Sequence, residues 1–201
     1  MAGDEAATSD VSAAETRALP PLSIMNSIHT TVWQIRWNNS YVSLTGKAAA
    51  CHANFVSQHN YFRQTWTLLW TAATTSRRPQ NLAQRQFLNE AISFARHLSA
   101  HHGIEEAHIF PLLATRMPEF DAKRGSLVKQ HDQIHKGLED FETYVKQCHA
   151  GREDFEMGVL REKMEGWEGV LWKHLDEEVK MLGAERMRAV WSKEEMMRMP
   201  M

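Results

Sequence analysis

The sequence has few cysteines, no long hydrophobic run and no excess of basic residues, and each absence excludes a class of protein. Two cysteines among 201 residues, neither in a CxxC pair, exclude a disulfide framework and argue against a thiolate zinc site. A formal net charge of −2 leaves few spare cations to neutralise a phosphate backbone, so we do not expect a nucleic-acid partner. No run approaches the roughly 18 apolar residues of a membrane span. These absences predict a cytoplasmic protein without membrane contact.

The first 47 residues predict little regular structure. Residues 1–20 are small, polar and slightly acidic, without the basic and apolar regions of a signal peptide, and predict a disordered tail. Residues 21–47 carry Trp33, Trp37 and Tyr41 among Asn, Ser and Thr without a sustained period. We interpret this segment as an irregular lead-in to a folded domain.

Glycine and proline collect between the later segments, a pattern typical of helices joined by short loops. The breaks are Arg77-Arg78-Pro79, Met117-Pro118 and Gly151. The long segments between them are about 48–76, 81–116, 124–150 and 154–183, and none alternates with period two. They predict an all-α, up-down-up-down four-helix bundle over residues 48–183. The Met-rich residues 184–201 predict a short helical tail.

The composition contains 11 histidines, and several of them interrupt the apolar stripes of the predicted helices. With two carboxylates, the inward residues are, in chain order, His59, His101, Glu105, His131, His135, His174 and Glu178. On the second helix the stripe continues through His108 and Leu112. One histidine alone is more often a hydrogen-bonded core residue. The stripes hold no Arg or Lys to pair with a buried carboxylate, however, so the seven together predict a metal site.

The order of these residues resembles that of the hemerythrin-like, or HHE cation-binding, domains. The runs HHGIEEAHIFP and QHDQIHKGLEDF are especially similar to that family, and the resemblance covers about residues 48–183. It implies two iron ions joined by an oxo or hydroxo bridge and held by the seven residues. Five histidines, two bridging carboxylates and the bridge leave one of twelve octahedral positions open. The resemblance implies that dioxygen binds there.

Two registers fit the metal-binding motif of the second helix. His102 and Glu106 repeat the His-x-x-x-Glu spacing of His101 and Glu105 one residue later. The stripe through His101 is the more apolar, which favours His101 and Glu105 as the ligands. Both registers remain open at the level of the sequence.

Three functions are compatible with such a site. The first is a non-haem di-iron protein that binds or senses dioxygen or handles iron, since a histidine-rich site stabilises high-valent iron poorly. The second is a di-iron oxidoreductase or oxygenase using a small-molecule substrate and a reductant, with a pocket lined by Trp66, Trp70, Trp167 and Trp172. The third is an interaction module whose metal only holds the bundle together. The sequence does not decide whether the protein is an enzyme.

Overall fold

The computed structural model describes residues 46–199, and within that range helix is the only regular structure. The long helices are α1 (Gly46–Thr75), α2 (Gln84–Ile104) and α4 (Ser126–His149). Shorter helices are α3 (Phe110–Leu113), α5 (Met157–Glu165), α6 (Glu168–Met181), α7 (Ala184–Val190) and α8 (Lys193–Arg198). None of the described helices is long and apolar enough to cross a membrane. The predictions for residues 1–45 lie outside the described residues.

The all-α prediction is confirmed, and helices occupy the four predicted segments. α2 contacts α1 and α4, and α4 also contacts α5 and α6. The fourth segment is divided into α5 and α6 at Gly166 and Trp167. The tail forms α7 and α8, which we call the C-terminal cap.

A π-helical turn at Glu105–Ile109 joins α2 to α3 and changes the face that the helix buries. Pro111 lacks the N–H that would bond to the preceding turn, and its ring crowds that turn, so a wider turn before it is favoured. The next buried residue after Glu105 is therefore Phe110, five positions later, and Leu113 follows it. The predicted stripe was wrong here: His108 is exposed and Leu112 is only half-buried.

The helices enclose two clusters of apolar side chains, and the predicted site residues lie between them. The first core, inside the long helices, includes Phe62, Trp66, Phe94 and Trp167. The second core joins α3 and the start of α4 to the cap, and its buried residues are Phe110, Leu113, Met117, Phe120, Leu127, Leu182, Met187, Trp191, Met196 and Met199. Burial of this apolar surface holds the cap on the bundle.

Candidate metal centre

Five histidines and two glutamates lie buried together where the helices face one another. They are His59 on α1, His101 and His102 on α2, Glu105 in the π-helical turn, His131 on α4, and His174 and Glu178 on α6. None of the seven is more than 6% exposed. A cluster of this size is costly to bury unless its polar atoms have partners.

The first group of potential ligands contains His59, His101, Glu105 and Glu178. The Nε2 atoms of His59 and His101 face each other at 3.1 Å. Nε2 of His101 lies 2.9 Å from Oε1 of Glu105, and Nε2 of His59 lies 3.4 Å from Oε2 of Glu178. Side chains from α1, α2, the π-helical turn and α6 therefore bring four potential ligand atoms together at one point.

The second group contains His102, Glu105, His131 and His174. Nε2 of His131 lies 3.3 Å from Nε2 of His174 and 3.5 Å from Oε2 of Glu105. The ring of His102 stacks on that of His131, with centroids 3.9 Å apart. Glu105 thus belongs to both groups. Glu178 also reaches both, because its Oε2 lies 3.1 Å from Nε2 of His174.

Metal coordination accounts for these contacts and for the buried polar atoms without hydrogen bonds. Two ligands about 2.1 Å from an ion and at right angles to each other lie about 3 Å apart, the spacing found in both groups. Both carboxylate oxygens of Glu105 and of Glu178, and both ring nitrogens of His102, are buried without a hydrogen bond of good geometry. Nitrogen and oxygen donors without thiolate suit iron, manganese or zinc.

The electrostatics of the cluster point the same way. Burial lowers the pKa of His101 to about 3 and that of His131 to about 4, so these rings are neutral at physiological pH and can bind metal. Burial and the neighbouring Glu178 raise the pKa of Glu105 well above its ordinary value. Burial also acts to raise the pKa of Glu178, but interactions with the nearby rings of His174 and His59 outweigh it and hold that pKa low. Without metal, burial and the nearby Glu178 thus favour the protonated form of Glu105, and a cation that binds there would replace that proton.

Six of the seven residues predicted from the sequence come together in the two buried groups. The exception is His135, which is 38% exposed and lies with Glu106 and His131 in a third, outer group. Nε2 of His135 is 2.9 Å from Oε1 of Glu106, and the same oxygen is 2.8 Å from Nδ1 of His131.

The additional buried residue is His102, which the sequence offered only as the alternative register. The inward side of α2 faces two neighbouring helices, α1 and α4. Both His101 and His102 are buried on this side: His101 contacts His59 of α1, and His102 stacks on His131 of α4. Consecutive side chains on a helix point about 100° apart, so both can enter a site of this width. The doubled HH and EE in HHGIEE was the signal for this arrangement.

Together, the helical fold and the buried histidine and glutamate groups define a cation-binding helical bundle. The family model described as "Hemerythrin HHE cation binding domain" matches residues 52–184, and the chain belongs to that family. A relative described as "Dimeric xanthone biosynthesis cluster protein R11", from Cryptosporiopsis sp. (strain 8999), is 25% identical over 165 residues. The match covers 78% of this chain and spans 58% of the relative's length. The comparison with solved structures found no match.

Proposed function

We propose that the protein binds two iron ions in the buried cluster and uses them to bind dioxygen. The observation that carries this proposal is the pair of four-residue groups that share Glu105. In this assignment His59 and His101 bind one ion, and His102, His131 and His174 bind the other. Glu105, which belongs to both groups, and Glu178, which lies near histidines of both, would help to hold both ions. The proposal includes an up-down-up-down order for the four long helical segments, which would bring the ligands of each helix to the same level.

The distribution of ligands makes the two metal positions unequal. His102, His131 and His174 would hold one ion, whereas only His59 and His101 would hold the other, with Glu105 and Glu178 near both. The ion beside His59 and His101 would therefore have fewer protein ligands and could accept a small molecule in the vacant position. Two iron ions would supply the electrons and the vacant position that dioxygen needs.

Aromatic rings close the side of the cluster on which the vacancy would lie. The ring of Phe55 is centred 4.3 Å from that of His59, and the ring of Phe62 is centred 5.1 Å from that of His101. Apolar walls exclude water and slow the loss of protons and electrons from a bound small ligand. They also admit a small, uncharged molecule such as dioxygen more readily than a large polar substrate.

Metal analysis followed by an oxygen cycle tests the proposal. Protein produced in iron-supplemented medium is expected to hold about two irons per chain. After anaerobic reduction and exposure to air, a charge-transfer absorption that disappears under argon and returns in air supports reversible binding. One zinc per chain would reject the proposal, and so would two irons whose spectrum does not respond to oxygen.

A second candidate function is oxidation of a small molecule at the same centre. It is favoured by the likeness to a protein whose name places it in a biosynthetic gene cluster. The proposed tryptophan pocket has less support, because Trp66 and Trp167 pack edge to face, with centroids 4.6 Å apart, inside the first core. Rapid, irreversible loss of the absorption, accelerated by an added phenolic or other aromatic substrate, would favour this function over reversible binding.

A further inference from the structure

Two members of the outer group, His135 and Glu106, have no role in the proposed ligand set, although Glu106 contacts His131, which belongs to it. We propose that Glu106, oriented by His135, is a positioning residue that fixes His131 in its Nδ1–H tautomer and so directs Nε2 of His131 to the metal. This inference rests on the proposed metal centre, but its first test needs no metal.

The tautomer follows from the contacts of the two ring nitrogens. Oε1 of Glu106 lies within 2.9 Å of a ring nitrogen of both His131 and His135, and a carboxylate that is 42% exposed at the surface accepts hydrogen bonds and donates none. Nδ1 of His131, 2.8 Å from Oε1 of Glu106, must therefore carry the proton. In a neutral imidazole the other nitrogen then has a free lone pair. That nitrogen, Nε2, is the one that faces His174 and Glu105.

Glu106 gives Nδ1 of His131 a charged hydrogen-bond partner, which Nδ1 of the other histidines of the cluster lacks among the described residues. Nδ1 of His101 contacts the neutral amide oxygen of Gln58 at 2.8 Å. Nδ1 of His59 and Nδ1 of His174 have no hydrogen-bond partner among the described residues. Since an ionised partner makes imidazole a stronger donor to metal than a neutral one does, the second ion should be bound more tightly than the first.

The position of His135 accounts for the His-x-x-x-His spacing on α4. Residues four apart lie on the same side of a helix, so His131 and His135 can reach one carboxylate oxygen from successive turns. His135 and Glu106 are 38% and 42% exposed, whereas His131 is buried. The outer histidine thus orients Glu106 at the surface, and Glu106 orients the inner histidine.

The first experiment reads the tautomer of His131 directly. In metal-free, ¹⁵N-histidine-labelled protein, two-bond ¹⁵N–¹H correlation spectra show which ring nitrogen is protonated. We expect Nδ1–H for His131 in the unchanged chain, and Nε2–H or a mixture in Glu106→Ala. In Glu106→Gln the amide oxygen can still accept the bond, so Nδ1–H should largely return.

The second experiment measures the affinity for each of two Co²⁺ ions by chelator competition, with the visible spectrum as readout. Removing a carboxylate that supports a metal-bound histidine typically lowers affinity about 10- to 100-fold. Glu106→Ala should therefore lower the affinity for one ion by that factor and leave the affinity for the other unchanged. Glu106→Gln should recover part of the lost affinity. The matched control is Glu177→Ala, since Glu177 accepts a 2.6 Å bond from Gln130, a neighbour of His131, without touching a site histidine.

The outcomes separate this inference from the proposed metal centre. An Nδ1–H tautomer that persists in Glu106→Ala would overturn the inference, as would equal loss of affinity in Glu106→Ala and Glu177→Ala. If the unchanged chain bound fewer than two ions, the proposed function would fail, but the tautomer of metal-free His131 would still decide the role of Glu106. If Glu106→Ala did not fold, a Glu106→Gln variant with unchanged affinity for both ions would reject the need for a charged partner.

Discussion

At the scale of single residues, the adjacent histidines of α2 decide the composition of the centre. His101 lies in the first group and His102 in the second, so one helix supplies both groups from consecutive positions. The second group then has three histidines without His135. The two buried groups together contain five histidines, and these include His102 in place of His135.

The structure places His102, and not His135, in a buried group, which gives a direct prediction. His102→Ala removes a buried side chain that we propose as a ligand and should lower the metal content from two ions per chain to about one. His135→Ala removes a half-exposed ring that contacts Glu106 and should leave two ions bound. Elemental analysis after dialysis measures both. The assignment is contradicted if His135→Ala loses an ion and His102→Ala retains two.

At the scale of secondary-structure elements, the junction of α5 and α6 depends on one glycine of α4. Trp167 is buried at this junction, and its Nε1–H donates a 2.8 Å hydrogen bond to the carbonyl of Lys163. A Cβ on residue 137 would overlap the indole of Trp167, so only glycine allows this approach. The contact fixes α4 against the segment that leads to His174 and Glu178.

Adding one methyl group at this contact should destabilise the fold. Gly137→Ala forces Trp167 from its position in the first core, and overpacking of this kind costs about 1–3 kcal/mol of unfolding free energy. The control is Gly103→Ala, because Gly103 lies inside α2 with nothing within 4 Å of the added Cβ. That change should stabilise the helix by about 0.5–1 kcal/mol. Urea denaturation of the metal-free variants measures both, and equal midpoints would refute the steric argument.

At the scale of the whole molecule, the C-terminal cap is connected to the metal centre through the second core. Met187, Trp191, Met196 and Met199 pack in the same cluster as Phe110, whose ring is centred 4.8 Å from that of His131. At the surface, Arg116 lies over the ring of Trp191 at 4.4 Å and pairs with Glu195 at 2.6 Å. The cap thus covers apolar residues that border the site.

Loss of the central side chain of the cap should affect both stability and metal retention. Trp191→Ala leaves a cavity in the second core and is expected to cost about 3–5 kcal/mol of unfolding free energy. The loosened core should also let a chelator remove metal faster. Thermal unfolding and the rate of metal loss to EDTA measure the two effects. Arg116→Ala is the comparison, since it removes only the exposed contacts and should change both quantities far less. If Trp191→Ala lost metal to EDTA at the same rate as the unchanged chain, the cap would have no influence on metal retention.

The sequence by itself determined the helices and most of the residues that meet inside them. Glycine and proline placed the breaks, and the interrupted apolar stripes identified six of the seven buried histidines and glutamates, because helical periodicity is a local property. The sequence also determined the family, since the family model matches residues 52–184.

Only the tertiary structure decided which side of each helix meets which neighbour. A stripe drawn at constant spacing admitted either His101 or His102, whereas α2 faces two helices at once and places both inside. The same spacing continued the stripe through His108, but the turn before Pro111 moved the buried positions to Phe110 and Leu113. It also placed His135 inward, although Glu106, 29 residues earlier, holds its ring at the surface. The differences at His102 and His135 depend on packing between segments distant in sequence, which no local pattern encodes, whereas the difference at His108 depends on a π-helical turn that a constant helical spacing does not represent.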